Sequence, residues 1–289
     1  MVRSLPSSRQ EVTVPYPLDV GGVDDYAMKV GSMLLTLVDP NRGFESAYNR
    51  WYERDHFYAG CMIGPFLFAG SRWVATRELK DARWPAGDET IASPPDAGSY
   101  VAIYWVERGH HADHFDVWAR RQVRDLYAQG RGFAERRHTH TVLYDHLGAV
   151  YRDADPVPVE LALDHGYDGL VALWFDAERG RDARALHRAL EASHARGLLD
   201  GSNIEIVSSW TPSAGENDPR DVPMDLGSKA GGPERLCQLC FVSGDVRAAL
   251  APLRAYTDAV AADGLATLHL AAPFLRTVVG TDTYVDQLW

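Results

Sequence analysis

The chain has 289 residues, a formal net charge of -11 at pH 7 and 46% hydrophobic residues, enough apolar content for a real core and too much for a chain disordered throughout. An acidic balance without clustered Lys and Arg argues against nucleic acid as a partner, and no apolar run follows Arg3 as in a signal peptide or approaches the roughly 20 residues of a membrane span. Three cysteines, Cys61, Cys237 and Cys240, make no disulfide framework, so a soluble, cytoplasmic protein in a reducing compartment is expected.

Residues 1–30, with Pro6, Pro15, Pro17 and the Gly21-Gly22 pair, predict an extended arm laid over the core. Ser32 to Val38 reads as a buried strand closed by the turn Asp39-Pro40-Asn41. Phe44 to Arg72 then reads as an amphipathic helix, a break at Gly60 and Gly64-Pro65, and a second strand from Phe66 to Thr76. On a 3.6-residue period Phe44, Tyr48, Trp51, Asp55 and Tyr58 share one stripe, with Tyr52 beside it and His56 at its edge. An acid at the centre of an aromatic, core-facing stripe has to be paired, hydrogen-bonded or protonated, because burying it alone costs several kcal/mol. Arg77 to Gly98 is a long Pro-, Gly- and Asp-rich loop for which a lid is one reading. Tyr100 to Val106 predicts a third strand, and His110-His111 lead into a helix whose stripe is Phe115, Trp118, Ala119, Gln122 and Leu126. The strand His138 to Tyr151 completes the unit; two-residue alternation places His138, His140, Val142, Tyr144 and His146 on one side.

After a Pro-containing linker (153–168) the same order returns. It runs through strand Gly169–Phe175, helix Ala183–Leu198, strand Ile204–Trp210, a long loop Thr211–Glu234, strand Leu236–Ser243, helix Val246–Ala262 and strand Leu268–Val279. The long loop recurs at the same place, which points to an internal duplication with halves 31–152 and 169–289. Each half, strand-helix-strand-strand-helix-strand, predicts a four-stranded antiparallel sheet with both helices on one face, and two such sheets can hide their bare faces by packing into a barrel. Cys237 and Cys240, three apart on a strand, point to opposite faces and read as core thiols, not a metal or redox pair.

Trp51-Tyr52-Glu53-Arg54-Asp55-His56, on the first helix after a strand, resembles the W-Y-x-x-E-H signature of EthD-like proteins of the dimeric α+β barrel superfamily. Asp replaces the usual Glu, Phe57-Tyr58 stands where Leu-Pro is usual, and Gly64-Pro65-Phe66 where the family has Pro-Gly-Phe. In the second half Leu190 and His194 fall at the Trp51 and Asp55 positions, so the family site is kept only in the first. The resemblance implies an α+β fold, two tandem ferredoxin-like halves packed as an intramolecular α+β barrel, with a cavity between sheet and helices. It leaves the reaction open among cyclases, isomerases, dehydratases, cofactor-free monooxygenases and haem enzymes.

His56 is the candidate general acid or base, since imidazole titrates near neutral pH, and Asp55 and Tyr52 complete the candidate catalytic set. Asp55 and His56, being adjacent, point about 100° apart and need not touch. Tyr48, Trp51, Trp73, Trp105, His138, His140 and Tyr144 are the candidate substrate-binding residues, aromatic walls with hydroxyl or imidazole groups for a phenol or carboxylate. His110, His111, His114, His138 and His140 make no clean metal motif, and no nucleotide-binding or nucleophile-elbow motif is present, so neither metal nor cofactor is expected. The expectation is a cofactor-independent lyase (decarboxylase, dehydratase or cyclase) acting on a small aromatic or polyketide-like acid, with a homodimer as one assembly. The alternatives are a non-catalytic binder of a hydrophobic metabolite and a haem- or oxygen-using enzyme on the same fold.

Overall fold

The computed structural model describes residues 28–214 and 224–289; of the expected arm at residues 1–30, residues 1–27 lie outside the described residues and Val30 already belongs to the first strand. Eight strands close into one antiparallel barrel: β1 (Val30–Pro40), β2 (Leu67–Val74), β3 (Tyr100–Glu107), β4 (Arg136–Tyr151), β5 (Gly169–Ala177), β6 (Ile204–Pro212), β7 (Arg235–Val242) and β8 (Ala266–Arg276). Their order round the barrel is β1-β3-β2-β8-β5-β7-β6-β4, so each half contributes a four-stranded sheet of the same order. The expected α+β barrel of two ferredoxin-like halves is what forms. One seam is long, β4 to β6 from Tyr144↔Pro212 to Tyr151↔Ile206, and the other is short, β2 to β8 at Trp73↔Arg276 and Val74↔Leu275.

Alternation on the strands assigns the two faces. Met33, Leu35 and Leu37 of β1 and Val101, Ile103 and Trp105 of β3 enter the barrel, where Trp73, Trp174, Trp210, Tyr144 and Phe241 are also fully buried. Trp105 and Trp210 stack across the halves with ring centroids 5.9 Å apart. The interior is a packed core, and truncating one of these tryptophans to Ala is expected to cost about 3–5 kcal/mol. The other face of the first sheet, with Val38, Tyr100, Ala102, Tyr104 and Val106, carries a second cluster under the helices.

Those helices are not regular. Helix α1 begins as an α-helix (Glu45–Trp51) and continues as a π-helix (Tyr52–Met62); a short α2 (Arg77–Asp81) follows β2, and α3 starts as a π-helix (Asp113–Ala119) and continues as an α-helix (Arg120–Ala128). In the second half α4 (Ala183–Ser193) and α5 (Ala195–Asp200) break at His194, and α6 (Leu250–Ala262) precedes β8. Wide π turns, held by i→i+5 bonds, are frequent at functional sites.

The long loop after α2 is not a lid over the first half's helices. Trp84 bridges Ala271 of β8 through both backbone groups (3.4 and 2.7 Å), its indole N–H donates to Thr257 Oγ1 (3.2 Å), and Arg83 holds the carbonyls of Ala97 and Gly98 at 2.6 Å. Conversely, the end of the corresponding loop of the second half crosses to the first: Ser228 N donates to Thr139 O and Thr141 N donates to Leu226 O. Gly227, at φ +81, permits this approach, since a Cβ there would stand 2.2 Å from Thr139 O.

Candidate active site

A cavity of about 160 Å³ lies between the helix-facing side of the first sheet and the two π-helices, lined by Tyr52, His56 and Cys61 of α1, His114 and Arg120 of α3, and Arg136 and His138 of β4. Leu34, Val142, Leu143, Met224 and Leu226 add apolar wall, the last two from the crossing segment of the second half. The volume matches a single aromatic ring, since a cavity of roughly 150 Å³ holds benzene.

His56 sits where the π turn meets the sheet. Its ring stacks on Trp51 (centroids 4.6 Å, 16° between planes) and meets Tyr52 edge-on at 5.2 Å, and it has no hydrogen-bond partner among the described residues. Gly60 makes room for it: a Cβ at Gly60 would stand 2.7 Å from His56 Nδ1. Burial first, and then the positive charge of Arg136, hold the His56 pKa down at about 3, so the imidazole is neutral at physiological pH.

His138 is also neutral, and its tautomer follows from its partners. Arg136 Nε donates to His138 Nε2 (3.1 Å), so Nδ1 carries the proton and donates to Thr141 Oγ1 (2.8 Å), which lies 2.8 Å from Thr36 Oγ1. Burial, then Arg136, lower its pKa to about 3. The Arg136 guanidinium lies 4.8 Å over the Trp51 ring and also donates to Phe133 O and Tyr127 OH (2.7 Å), which leaves two of its five N–H groups unassigned among the described residues. His114 Nδ1 donates to Pro65 O (2.8 Å), leaving Nε2 as an acceptor, and its pKa is lowered by burial. Tyr52 and Tyr104 share a 2.6 Å hydrogen bond, both phenols pushed well above 10 by burial. Arg72 braces Tyr52 from behind, 4.3 Å from its ring, bonded to Asn49 Oδ1 and paired with the buried Glu53.

Of the expected residues, the fold therefore brings Tyr52, His56 and His138 to one cavity and separates the others. Asp55 is not at the centre of a buried stripe: its side chain is 32% exposed and paired with Arg131, which holds its carboxyl below the usual range. The 3.6-residue period fails there because the π-helix from Tyr52 takes more residues per turn, rotating Asp55 outward. Tyr48 is packed against Trp51, Tyr100 and Phe133 and does not line the cavity, and Trp51 stands behind His56 with its indole N–H on Arg131 O (2.9 Å). Trp73 and Trp105 face the barrel interior on the opposite side of the sheet.

His138 and His140 do not share a face. The register against β1 shifts from Leu37↔His140 to Val38↔His138, which leaves Thr139 as an extra residue and turns His140 into the barrel. There Trp174 Nε1 donates to Tyr144 OH (3.0 Å), Tyr144 to His140 Nε2 (2.7 Å), His140 Nδ1 to Ser228 Oγ (2.7 Å) and Ser228 to Ile91 O (2.7 Å). His140 and Tyr144 belong to this satisfied interior network, not to the cavity. Sequence reasoning passed over Arg136, whose only signal was its place two residues before His138, and Tyr104, Arg120 and Cys61, which read as ordinary sheet or helix residues. Among the described residues no cluster of His, Cys, Asp and Glu has the arrangement of a metal site.

No protein-family model matches the chain, and no curated protein matches it in sequence. Among solved structures it is similar to an anthrone oxidase-like protein at 9% identity, over 90% of this chain and 97% of that one, with a TM-score of 0.51. It is also similar to a candidate chlorite dismutase at 10% identity, over 90% of this chain and 100% of that one, with a TM-score of 0.50. A candidate monooxygenase from Fusobacterium nucleatum matches at 9% identity, over 87% of this chain and 94% of that one, with a TM-score of 0.46. At these identities the likeness is one of fold, the α+β barrel of ferredoxin-like sheets.

Proposed function

We propose that the chain is a cofactor-free acid-base enzyme that ionises a single-ring phenol or enolisable aromatic acid in the cavity beneath the two π-helices. The observation that carries this reading is a neutral imidazole, His56, without a hydrogen-bond partner among the described residues, in an apolar cavity that also holds the Arg136 guanidinium. His56 accepts a proton from the substrate hydroxyl or carbon, and the oxyanion left behind takes the N–H groups of Arg136 that the protein does not use. Burial makes an isolated imidazolium costly here, so the proton moves favourably only when the substrate brings the compensating negative charge into the same cavity. The Tyr52–Tyr104 pair closes the apolar end and orients the ring. In the lyase reading the proton held by His56 then returns to the ring carbon as carbon dioxide leaves, or to a departing hydroxyl that leaves as water, in keeping with the resemblance of Trp51 to His56 to EthD-like proteins. The matching strand order of the two halves supports their descent from one duplicated unit.

A second reading shares the first step and adds dioxygen as co-substrate, which an apolar cavity admits; a solved structure of the same fold is an anthrone oxidase-like protein. This second reading takes the cofactor-free, oxygen-using case, because the cavity of about 160 Å³ under the π-helices has the volume of one ring and a haem macrocycle is several times larger. The test is solvent-deuterium exchange followed by proton NMR on a panel of phenols, hydroxybenzoates and aromatic β-keto acids, first without oxygen and then in air with an oxygen electrode. Exchange or decarboxylation that persists without oxygen and is lost in His56→Gln supports the lyase reading. Substrate-dependent oxygen uptake lost in the same variant supports the second. Turnover unchanged in His56→Gln and in Arg136→Gln would refute both.

A further inference from the structure

A separate pocket of about 300 Å³ opens where the turn after β1, α2, the end of the loop before β3 and the start of β4 meet. Four cations, Arg42, Arg77, Lys80 and Arg137, line it against two carboxylates, Asp39 and Asp96. Both carboxylates are already committed to the fold. Asp39 accepts from Gly98 N, Ser99 N and Ser99 Oγ at 2.6–2.7 Å, and Asp96 accepts from Arg77 Nη1 at 2.6 Å. Arg77 is in turn spent on Asp96 and Asp81.

The other three cations are not. Lys80 is only 2% exposed, yet its ammonium finds a single acceptor among the described residues, Ser99 Oγ at 3.1 Å, and otherwise lies 4.2 Å over the Trp289 ring. Arg137 uses one N–H on Ser93 O (2.9 Å), and Arg42 stacks on Trp289, 4.9 Å from its centroid, with no hydrogen bond to a side chain among the described residues and the Glu45 carboxylate as its electrostatic neighbour. A buried ammonium with two unspent donors costs free energy unless something accepts from it. Two guanidinium groups with free forks beside it supply the geometry that takes several oxygens of one anion. The chain as a whole carries a net charge of -11, so this local excess of positive charge is not a reflection of its composition.

We infer that this pocket binds a multiply charged phosphate-type anion, with Lys80 as the buried point charge and Arg42 and Arg137 as the clamping forks. A dianion is favoured over a single carboxylate because three cations from three separate elements converge on it, while the carboxylates nearest them, Asp39, Asp96 and Glu45, already accept hydrogen bonds from Gly98 and Ser99, from Arg77, and from Gly43 and Trp289. The inference stands on this pocket alone and does not depend on the acid-base reading of the cavity under the π-helices.

Isothermal titration of the full chain with inorganic phosphate, pyrophosphate and phenyl phosphate, at constant ionic strength and with sodium chloride as control, tests it. Saturable one-to-one binding of at least one phosphate is expected, weakened about tenfold or more in Arg42→Gln and in Arg137→Gln, both exposed positions that leave the fold intact. Lys80→Met is expected to abolish it, and should that variant fail to fold, the two arginine variants decide. Binding of inorganic phosphate alone would identify a free ion as the ligand, whereas preference for phenyl phosphate would identify a phosphate ester. No binding of any phosphate at about 10 mM, or binding unchanged in both arginine variants, would overturn the inference.

Discussion

Replacing His140 with Phe separates two effects that usually travel together, the loss of a buried hydrogen bond and the loss of a proton-linked stability term. In the native network His140 Nε2 accepts from Tyr144 and Nδ1 donates to Ser228, so the neutral imidazole is the only form that satisfies both neighbours. Burial holds its pKa at about 3, against about 6.5 in the unfolded chain. A folded pKa below the unfolded one means that the native state binds fewer protons. This stability is complete above pH 6.5 and is lost as pH falls towards 3. By pH 5 the loss from this residue is about 1.5 pH units, or about 2 kcal/mol. At pH 8 His140→Phe leaves the Tyr144 proton without an acceptor in a dry core and is expected to cost about 1–3 kcal/mol. Between pH 8 and pH 5, however, the variant should lose about 2 kcal/mol less than the wild type. Urea unfolding followed by tryptophan fluorescence at pH 8, 6.5 and 5 measures both numbers. His56, His138 and His146 are depressed in the same way, so the wild type falls steeply in acid and the comparison rests on the difference between the two proteins. A variant whose stability runs parallel to the wild type across this range would refute the assignment of a neutral, locked His140.

Asp55→Asn should change the unfolding free energy by less than about 1 kcal/mol, because its pair with Arg131 is exposed; a loss of several kcal/mol would restore the buried-acid reading. His269 lies between Asp176 and Asp88, 2.9 Å from each, and hydrogen bonding to Asp176 and then to Asp88 raises its pKa. A raised folded pKa stabilises below pH 6.5 and is lost as pH rises through the folded value. His269→Gln should therefore flatten the decline in melting temperature on that side, and an unaltered profile would count against the clamp. Cys61, Cys237 and Cys240 are free and buried, so none should react with a thiol reagent in the native protein and all three should react in denaturant; rapid native labelling would contradict the packing.

Much of the architecture was legible because it rests on local periodicity. Alternating apolar strands, the Gly and Pro breaks between them, and the repeated element order give two antiparallel sheets whose bare faces have to be buried somewhere, and packing them together is the economical solution. His56, Tyr52 and His138 were legible as candidates because imidazole and phenol on apolar faces are chemically conspicuous. Asp55 and His140 were misplaced for one shared reason. Period counting assumes a regular repeat, and one π-helix and one β-bulge shift the phase of everything beyond them.

What the sequence determined by itself is therefore the set of elements, their order and a part of the candidate site, Tyr52, His56 and His138, since each depends on neighbours a few residues away. Tertiary structure alone decided which face each one reached. The wide turns of α1 and α3 open a cavity the size of one ring, the bulge at Thr139 sends His138 into it and His140 into the barrel, and Met224 and Leu226 arrive from the other half to form part of its wall. The fate of Arg136 depends in the same way on contacts distant in the chain. An arginine beside another arginine at a strand start reads as solvated surface, and it becomes a cavity cation only because Trp51, Tyr127 and His138 surround it when the sheet and both helices have closed.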